Sequence, residues 1–207
     1  MGGRVSEDLM QLELKSLVSL ARESVADPRG VARALMAMNL PMEARWLGMA
    51  VTVALSVLLT QLALLVMQVP SGGQLGGMMG SPASAAVTQL GIMLALSLGI
   101  GHVGRMLGGK GSFPDALLLV TWAEFVLVLL QVIQMFAALI FPFSSVLIGF
   151  AGVALFFYQL TQFTAELHGF TNPVKVFFGL LAGFFAAAFA LVVVLSILGV
   201  SPAELGA

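Results

Sequence analysis

Apolar residues fall into five long segments, each with the length to cross a hydrocarbon core that needs roughly 20 residues. They run Trp46–Val69, Ala83–Val103, Ala116–Phe141, Phe143–Leu167 and Val174–Val200. Turn formers stand between them. Val69-Pro70-Ser71-Gly72-Gly73 opens a glycine-rich loop that closes at Gly80-Ser81-Pro82, and the stretch from Leu107 to Asp115 separates the second and third segments. Pro142 alone splits the third from the fourth, and Gly169-Phe170-Thr171-Asn172-Pro173 precedes the last. Pro114 and Pro173 suit the first turn of a helix, where a missing N–H costs little.

The forty residues before the first segment follow a different pattern. Met10, Leu14, Leu17, Val18, Ala21 and Val25 recur at helical spacing. Asp27-Pro28 then reads as an N-cap followed by proline at the first helical position. Val31, Leu35 and Met38 give a second short helix an apolar side, with Arg29 and Arg33 on another. This lead-in is expected to lie on the lipid surface or to dock a partner. It lacks a short basic start running straight into an apolar stretch, so the first span is expected to stay in the mature protein. The fold class is all-α: a polytopic membrane protein, with short amphipathic surface helices preceding a five-transmembrane-helix bundle. Residues 1–44 form the cytoplasmic amphipathic segment, 45–200 the bundle and 201–207 a short C-terminal tail.

Composition agrees. The chain is 59% hydrophobic and only 9% charged, against roughly 25% charged residues in soluble domains, so it cannot cover a water-facing surface. A net charge of −1 gives no basic field for nucleic acid. The absence of cysteine excludes disulfides, thiolate metal sites and cysteine nucleophiles.

Charge also orients the chain. Arg4, Lys15, Arg22, Arg29, Arg33 and Arg45 precede the first span, Arg105 and Lys110 lie in the second connection, and Lys175 sits beside the fourth. All nine basic residues therefore fall on one side of an alternating five-span chain. The positive-inside rule makes that side cytoplasmic and puts the C-terminus outside.

Three stripes of small residues suggest how the spans pack, because close backbone approach drives association in lipid. They are Gly48-Thr52-Ser56-Thr60, Gly91-Ala95-Gly99 and Gly179-Gly183-Ala187, and each is expected to be a seam within one bundle. The third span is poor in such residues and relies on large side chains.

Chemistry-bearing residues are few. Glu124 lies about three turns inside the third span, where a carboxylate is costly and usually functional. Gln131 shares its face, Gln134 is close by, and Thr121 lies one turn before it. The fourth span carries Tyr158, Gln159, Gln162 and Glu166, and the two polar stripes are expected to face each other as a hydrogen-bonded seam or a functional polar pocket. His102, Lys110 and His168 fall on the cytoplasmic face, where the histidines are expected to snorkel or cap; no metal site is expected from their spacing. Gly104-Arg105-Met106-Leu107-Gly108-Gly109-Lys110-Gly111 approaches a phosphate loop but places Gly111 where a hydroxyl must hold magnesium, and it follows a membrane helix, not a strand. No catalytic constellation can be assembled, so neither an enzyme nor a cofactor is expected.

The lead-in containing Asp27-Pro28-Arg29, followed by five spans with short loops, resembles the Yip1 family, particularly its small bacterial members. Two pieces carry the likeness most specifically. One is the connection Leu107-Gly108-Gly109-Lys110-Gly111-Ser112-Phe113 with Asp115; the other is Glu166-Leu167-His168-Gly169-Phe170 before the last span. The resemblance implies a multi-pass protein of the cell inner (plasma) membrane without known catalysis. Eukaryotic Yip1 relatives bind small GTPases through a longer N-terminal region; this chain has only a short lead-in without their acidic-aromatic motif, which argues against GTPase binding. The expected function is a non-enzymatic membrane scaffold or adaptor whose partners are the bilayer and another membrane protein or a second copy. The alternative is a small, oligomeric transporter or channel with its polar site around Glu124.

Overall fold

The computed structural model describes residues 15–66 and 81–197. Within them the chain forms seven helices and no strand: α1 (15–26), α2 (Pro28–Ala37), α3 (Met42–Val66), α4 (Pro82–Met106), α5 (Phe113–Ile140), α6 (Pro142–His168) and α7 (Pro173–Ile197). Five of them, α3 to α7, are long and apolar enough to cross a membrane, so the chain is a multi-pass membrane protein with lipid contact. The glycine-rich loop expected between the first two spans, the positions Met10 and Leu14, and the C-terminal tail lie outside the described residues.

Most helix starts are fixed by one device, a short polar side chain followed by proline. Asp27 Oδ1 accepts from Gly30 N at 2.9 Å, Ser81 Oγ from Ser84 N at 3.2 Å, and Ser112 Oγ from Asp115 N at 3.2 Å. Asn172 Oδ1 takes the N–H groups of Val174 and Lys175 at 3.0 and 3.2 Å. Each cap satisfies N–H donors that the first helical turn leaves over. At the other end of α6, Gly169 adopts φ +72°, and Phe170 N donates to Ala165 O at 2.8 Å, the glycine-closed end that stops a helix sharply. These caps carry the helices slightly past the apolar segments, as at Pro82–Met106 against the expected Ala83–Val103.

The α5 helix is the hub. More than half of its span is buried, at 56%, against 28% for α3, 17% for α4 and α6, and 6% for α7. Consecutive residues around its circumference are buried, Leu117, Leu118, Leu119 and Val120 among them. The break before α6 is a single extended residue, Phe141, so α5 and α6 form a tight hairpin. The α7 helix leans on α6 through an edge-to-face contact between Phe157 and Phe177 at 6.3 Å, and its Val176 is buried.

Only one of the three small-residue stripes is a seam. A Cβ added at Gly48 would lie 3.8 Å from Thr121 Cγ2, and Thr52 and Ser56 are buried. A side chain added at Gly91, Gly99, Gly179 or Gly183 would meet nothing within 4 Å. The α4 helix is turned so that Met93, Ser97, Ile100, Gly101 and Gly104 face inward instead, because Gly101 lies directly against the backbone of Phe113.

The inner side of the lead-in packs against protein. Its two helices are docked on the bundle, with Val31, Ala32 and Leu35 of α2 and Ala21 of α1 in the core, while Met38 is exposed. Trp122 Nε1 of α5 donates to Ser24 Oγ at 2.8 Å, and the Ser24 side chain is fully buried. An apolar helix face suits lipid and protein equally, and here protein takes it because polar partners lie beside it. Replacing Trp122 with Phe keeps the ring and removes the donor. The expected cost is about 1 kcal/mol, the net worth of a typical hydrogen bond, read as an earlier melting transition of the purified protein.

Candidate functional site

The residues expected to make one polar pocket are divided among three places. The first is a ladder between α3 and α5. At its charged end Arg45 Nη1 pairs with Asp115 Oδ1 at 2.8 Å, and Arg45 is 7% exposed. Further in, Gln89 of α4 donates through Nε2 both to Glu124 Oε1 and, at 3.1 Å, to Ser56 Oγ. Further still, Gln131 Nε2 donates to Thr60 Oγ1 at 2.9 Å. Arg45 and Asp115 are 70 positions apart in the chain, and Thr60 and Gln131 are 71 apart. A near-constant offset means that α3 and α5 run parallel in fixed register. Hydrogen bonds between membrane helices average only about 0.6 kcal/mol, so the ladder sets register more than it adds stability.

The second place is the polar side of α6. It faces the lead-in, not Glu124. Gln159 is fully buried with Nε2 3.5 Å from Ser24 O, and its Oε1 has no partner. Arg29 Nε donates to Gln162 Oε1 at 2.7 Å, and Arg33 Nη1 pairs with Glu166 Oε1 at 3.1 Å. Both pairs are offset by 133 positions, so α2 runs parallel to the last turns of α6. Tyr158 points outward, 43% exposed. Gln134 stays with neither group: its Nε2 donates to Ser145 O at 2.8 Å near the α5–α6 turn.

The third place joins the two segments that carried the family likeness. His168 is 2% exposed, held at the end of α6 against the connection between α4 and α5. Gly111 N donates to its Nδ1 at 3.0 Å, and its Nε2 lies 2.9 Å from Ile100 O. A backbone N–H can only donate and a carbonyl can only accept, so these partners assign the ring proton to Nε2. A side chain on Gly104, Gly109 or Gly111 would strike the imidazole, while Gly108 is needed for its φ of +92°. Phe170 stacks on the other ring face at 5.4 Å. His168 is therefore an internal tie between two connections, not the snorkelling or capping residue expected. His102 and Lys110 are exposed, and His102 Nδ1 lies 3.2 Å from Leu98 O.

Sequence reading missed Gln89 and Ser24 as partners of the ladder and of Trp122. Gln89 was visible as a polar residue inside a span, but nothing in the pattern said which way its helix turns. Among the described residues no three His, Cys, Asp or Glu side chains come together to hold a metal. The gap lined by Ile100, Leu119, Leu160 and Phe163 is too small to admit a water molecule, far below the roughly 300–1,000 Å³ of small-molecule pockets.

A five-span helical bundle with docked N-terminal helices and a glycine-wrapped histidine defines a class of multi-pass membrane protein. The model of the Yip1 domain matches residues 22–200, and the chain belongs to the Yip1 domain family. The matched region begins inside α1, so it includes the docked α2. No curated protein and no solved structure matched the chain.

Glycine substitutions separate tight positions from open ones. Gly104→Ala and Gly111→Ala should lower the melting temperature sharply or abolish monodisperse expression. Gly183→Ala should be tolerated within about 0.5 kcal/mol, as is usual for surface substitutions. Fluorescence-detected size exclusion of the three variants makes the comparison.

Proposed function

We propose that the chain is a non-enzymatic membrane scaffold or adaptor, organising the membrane or partner proteins from the cytoplasmic face of the cell inner (plasma) membrane. The observation that carries this reading is the docking of α1 and α2. Ser24, Arg29 and Arg33 tie their inner side to α5 and α6, which holds an exposed outer side at one end of the bundle as a fixed platform. The grouping of Arg29, Arg33, Arg45 and Lys110 at that same end supports a cytoplasmic N-terminus and an external C-terminus. In this reading residues 1–44 are the platform, 45–200 the membrane domain and 201–207 a tail. Occupants of the platform are another membrane protein, a second copy or lipid.

Deleting the lead-in would strip Trp122 and Gln159 of their partners, so the test keeps it. A photo-crosslinking residue at Met38, on the exposed end of α2, should give a discrete protein adduct in native membranes. The same probe at Phe150, on the exposed side of α6, should not. No adduct from a folded Met38 variant would remove partner docking from the reading.

A second reading, a small oligomeric transporter or channel, is favoured by the α3–α5 ladder, which places polar groups at successive depths from Asp115 to Gln131. Glu124→Gln retains an acceptor for Gln89 and should fold normally. Under the scaffold reading it leaves adduct formation intact. Under the transporter reading it abolishes proton or ion flux in reconstituted vesicles.

A further inference from the structure

Docking gives α1 three distinct sides. Leu20, Ala21 and Ser24 face the bundle. At about 100° per residue, Val18 and Val25 share one flank, 56% and 48% exposed, while Ser16, Ser19 and Glu23 share the other. Lys15 and Arg22 lie on the edge between these flanks, opposite the docked side, and with Val18 and Ser19 they line a shallow concavity. Seven residues of helix separate the two cations by about 10 Å.

Among the described residues the neighbouring cations have partners on the bundle: Arg29 with Gln162, Arg33 with Glu166 and, at the start of α3, Arg45 with Asp115. Among the described residues Lys15 and Arg22 have no acidic partner. Glu23, the described acidic residue nearest to them in α1, lies on the polar flank. An apolar flank, a polar flank and two cations on the border between them match the layering of a bilayer surface: acyl chain, headgroup phosphate, water. Because Ser24 and Ala21 lock the helix against rotation, this orientation exists before any lipid arrives.

We propose that the outer edge of α1 is a preorganised binding surface for anionic phospholipid, with Lys15 and Arg22 taking the headgroup phosphates and Val18 and Val25 resting on the acyl chains. The proposal deepens the scaffold reading by naming the chemistry that part of the platform meets. Each cation near an anionic surface contributes on the order of 1 kcal/mol, so the pair should enrich anionic lipid by roughly tenfold or more.

The test uses the full chain reconstituted in mixed phosphatidylglycerol–phosphatidylcholine bilayers, re-extracted in mild detergent and examined for retained lipid by native mass spectrometry. The wild type should retain phosphatidylglycerol well above its share of the bilayer. Lys15→Ala/Arg22→Ala should fall to that share while remaining monodisperse, and Lys15→Arg/Arg22→Lys should keep the enrichment. Undiminished enrichment in the double alanine variant would overturn the proposal, as would loss of enrichment in the charge-conserving variant or displacement of the lipid by inorganic phosphate. The Met38 adduct is scored on the same variants. An adduct with no lipid preference sinks this inference alone; lipid preference with no adduct sinks protein docking alone.

Discussion

A polar side chain inside hydrocarbon must find its partner within the protein, since neither lipid nor water will supply one. In this bundle the requirement converges on α5. Asp115, Trp122, Glu124, Gln131 and Gln134 project from it, and each is answered by a different neighbour: Arg45 of α3, Ser24 of α1, Gln89 of α4, Thr60 of α3 and the Ser145 carbonyl of α6. Apolar packing in a bilayer discriminates poorly between helix rotations, because lipid tails compete on equal terms. The five polar contacts remove that ambiguity. They fix the register of α3 and hold α4 so that its inward face is the one carrying Ser97 and Gly104.

How much of this could be read from the chain follows from the same physics. The five spans were legible because bilayer thickness imposes one length scale and proline–polar pairs mark the helix starts. The side of the membrane taken by each connection was suggested by the nine basic residues. Helix rotation was not legible. Glu124 and Gln159 sit on adjacent helices, yet one faces Gln89 and the other Ser24. The stripes Gly91-Ala95-Gly99 and Gly179-Gly183-Ala187 have the same spacing as the true seam at Gly48-Thr52-Ser56, and only packing distinguishes them. What the inner side of the lead-in touches was open for a related reason: Val31 and Leu35 would serve a lipid surface as well as a protein one. Arg29 and Arg33, four positions apart, match Gln162 and Glu166, also four apart, and that pairing was the signal available for their docking.

The two segments that suggested the Yip1 family meet in space. The glycines of the α4–α5 connection are there to admit one imidazole, and Gly169 and Phe170 complete its enclosure from the far side. A motif made of glycines and a single histidine invites a reading in terms of phosphate or metal. Its geometry here is that of a backbone tie: one ring nitrogen accepts from Gly111 and the other donates to Ile100. This joins the end of α6 to α4 and to the connection that leads into α5. The family match from residue 22 onward treats the docked helix and the spans as one unit, and the packing of α2 between α5 and α6 gives that unit its physical sense.

The equal offset of Arg29 from Gln162 and of Arg33 from Glu166 has a meaning for how the chain is made. The surface that receives α2 is synthesised 133 residues after it. At roughly 5–20 residues per second, the lead-in waits about 7 to 27 seconds before its α6 partners exist. Through that interval Arg29 and Arg33 lack the α6 partners that they have in the folded chain. The α2 helix is thus made long before the surface on which it docks, and it reaches its place only once α6 exists.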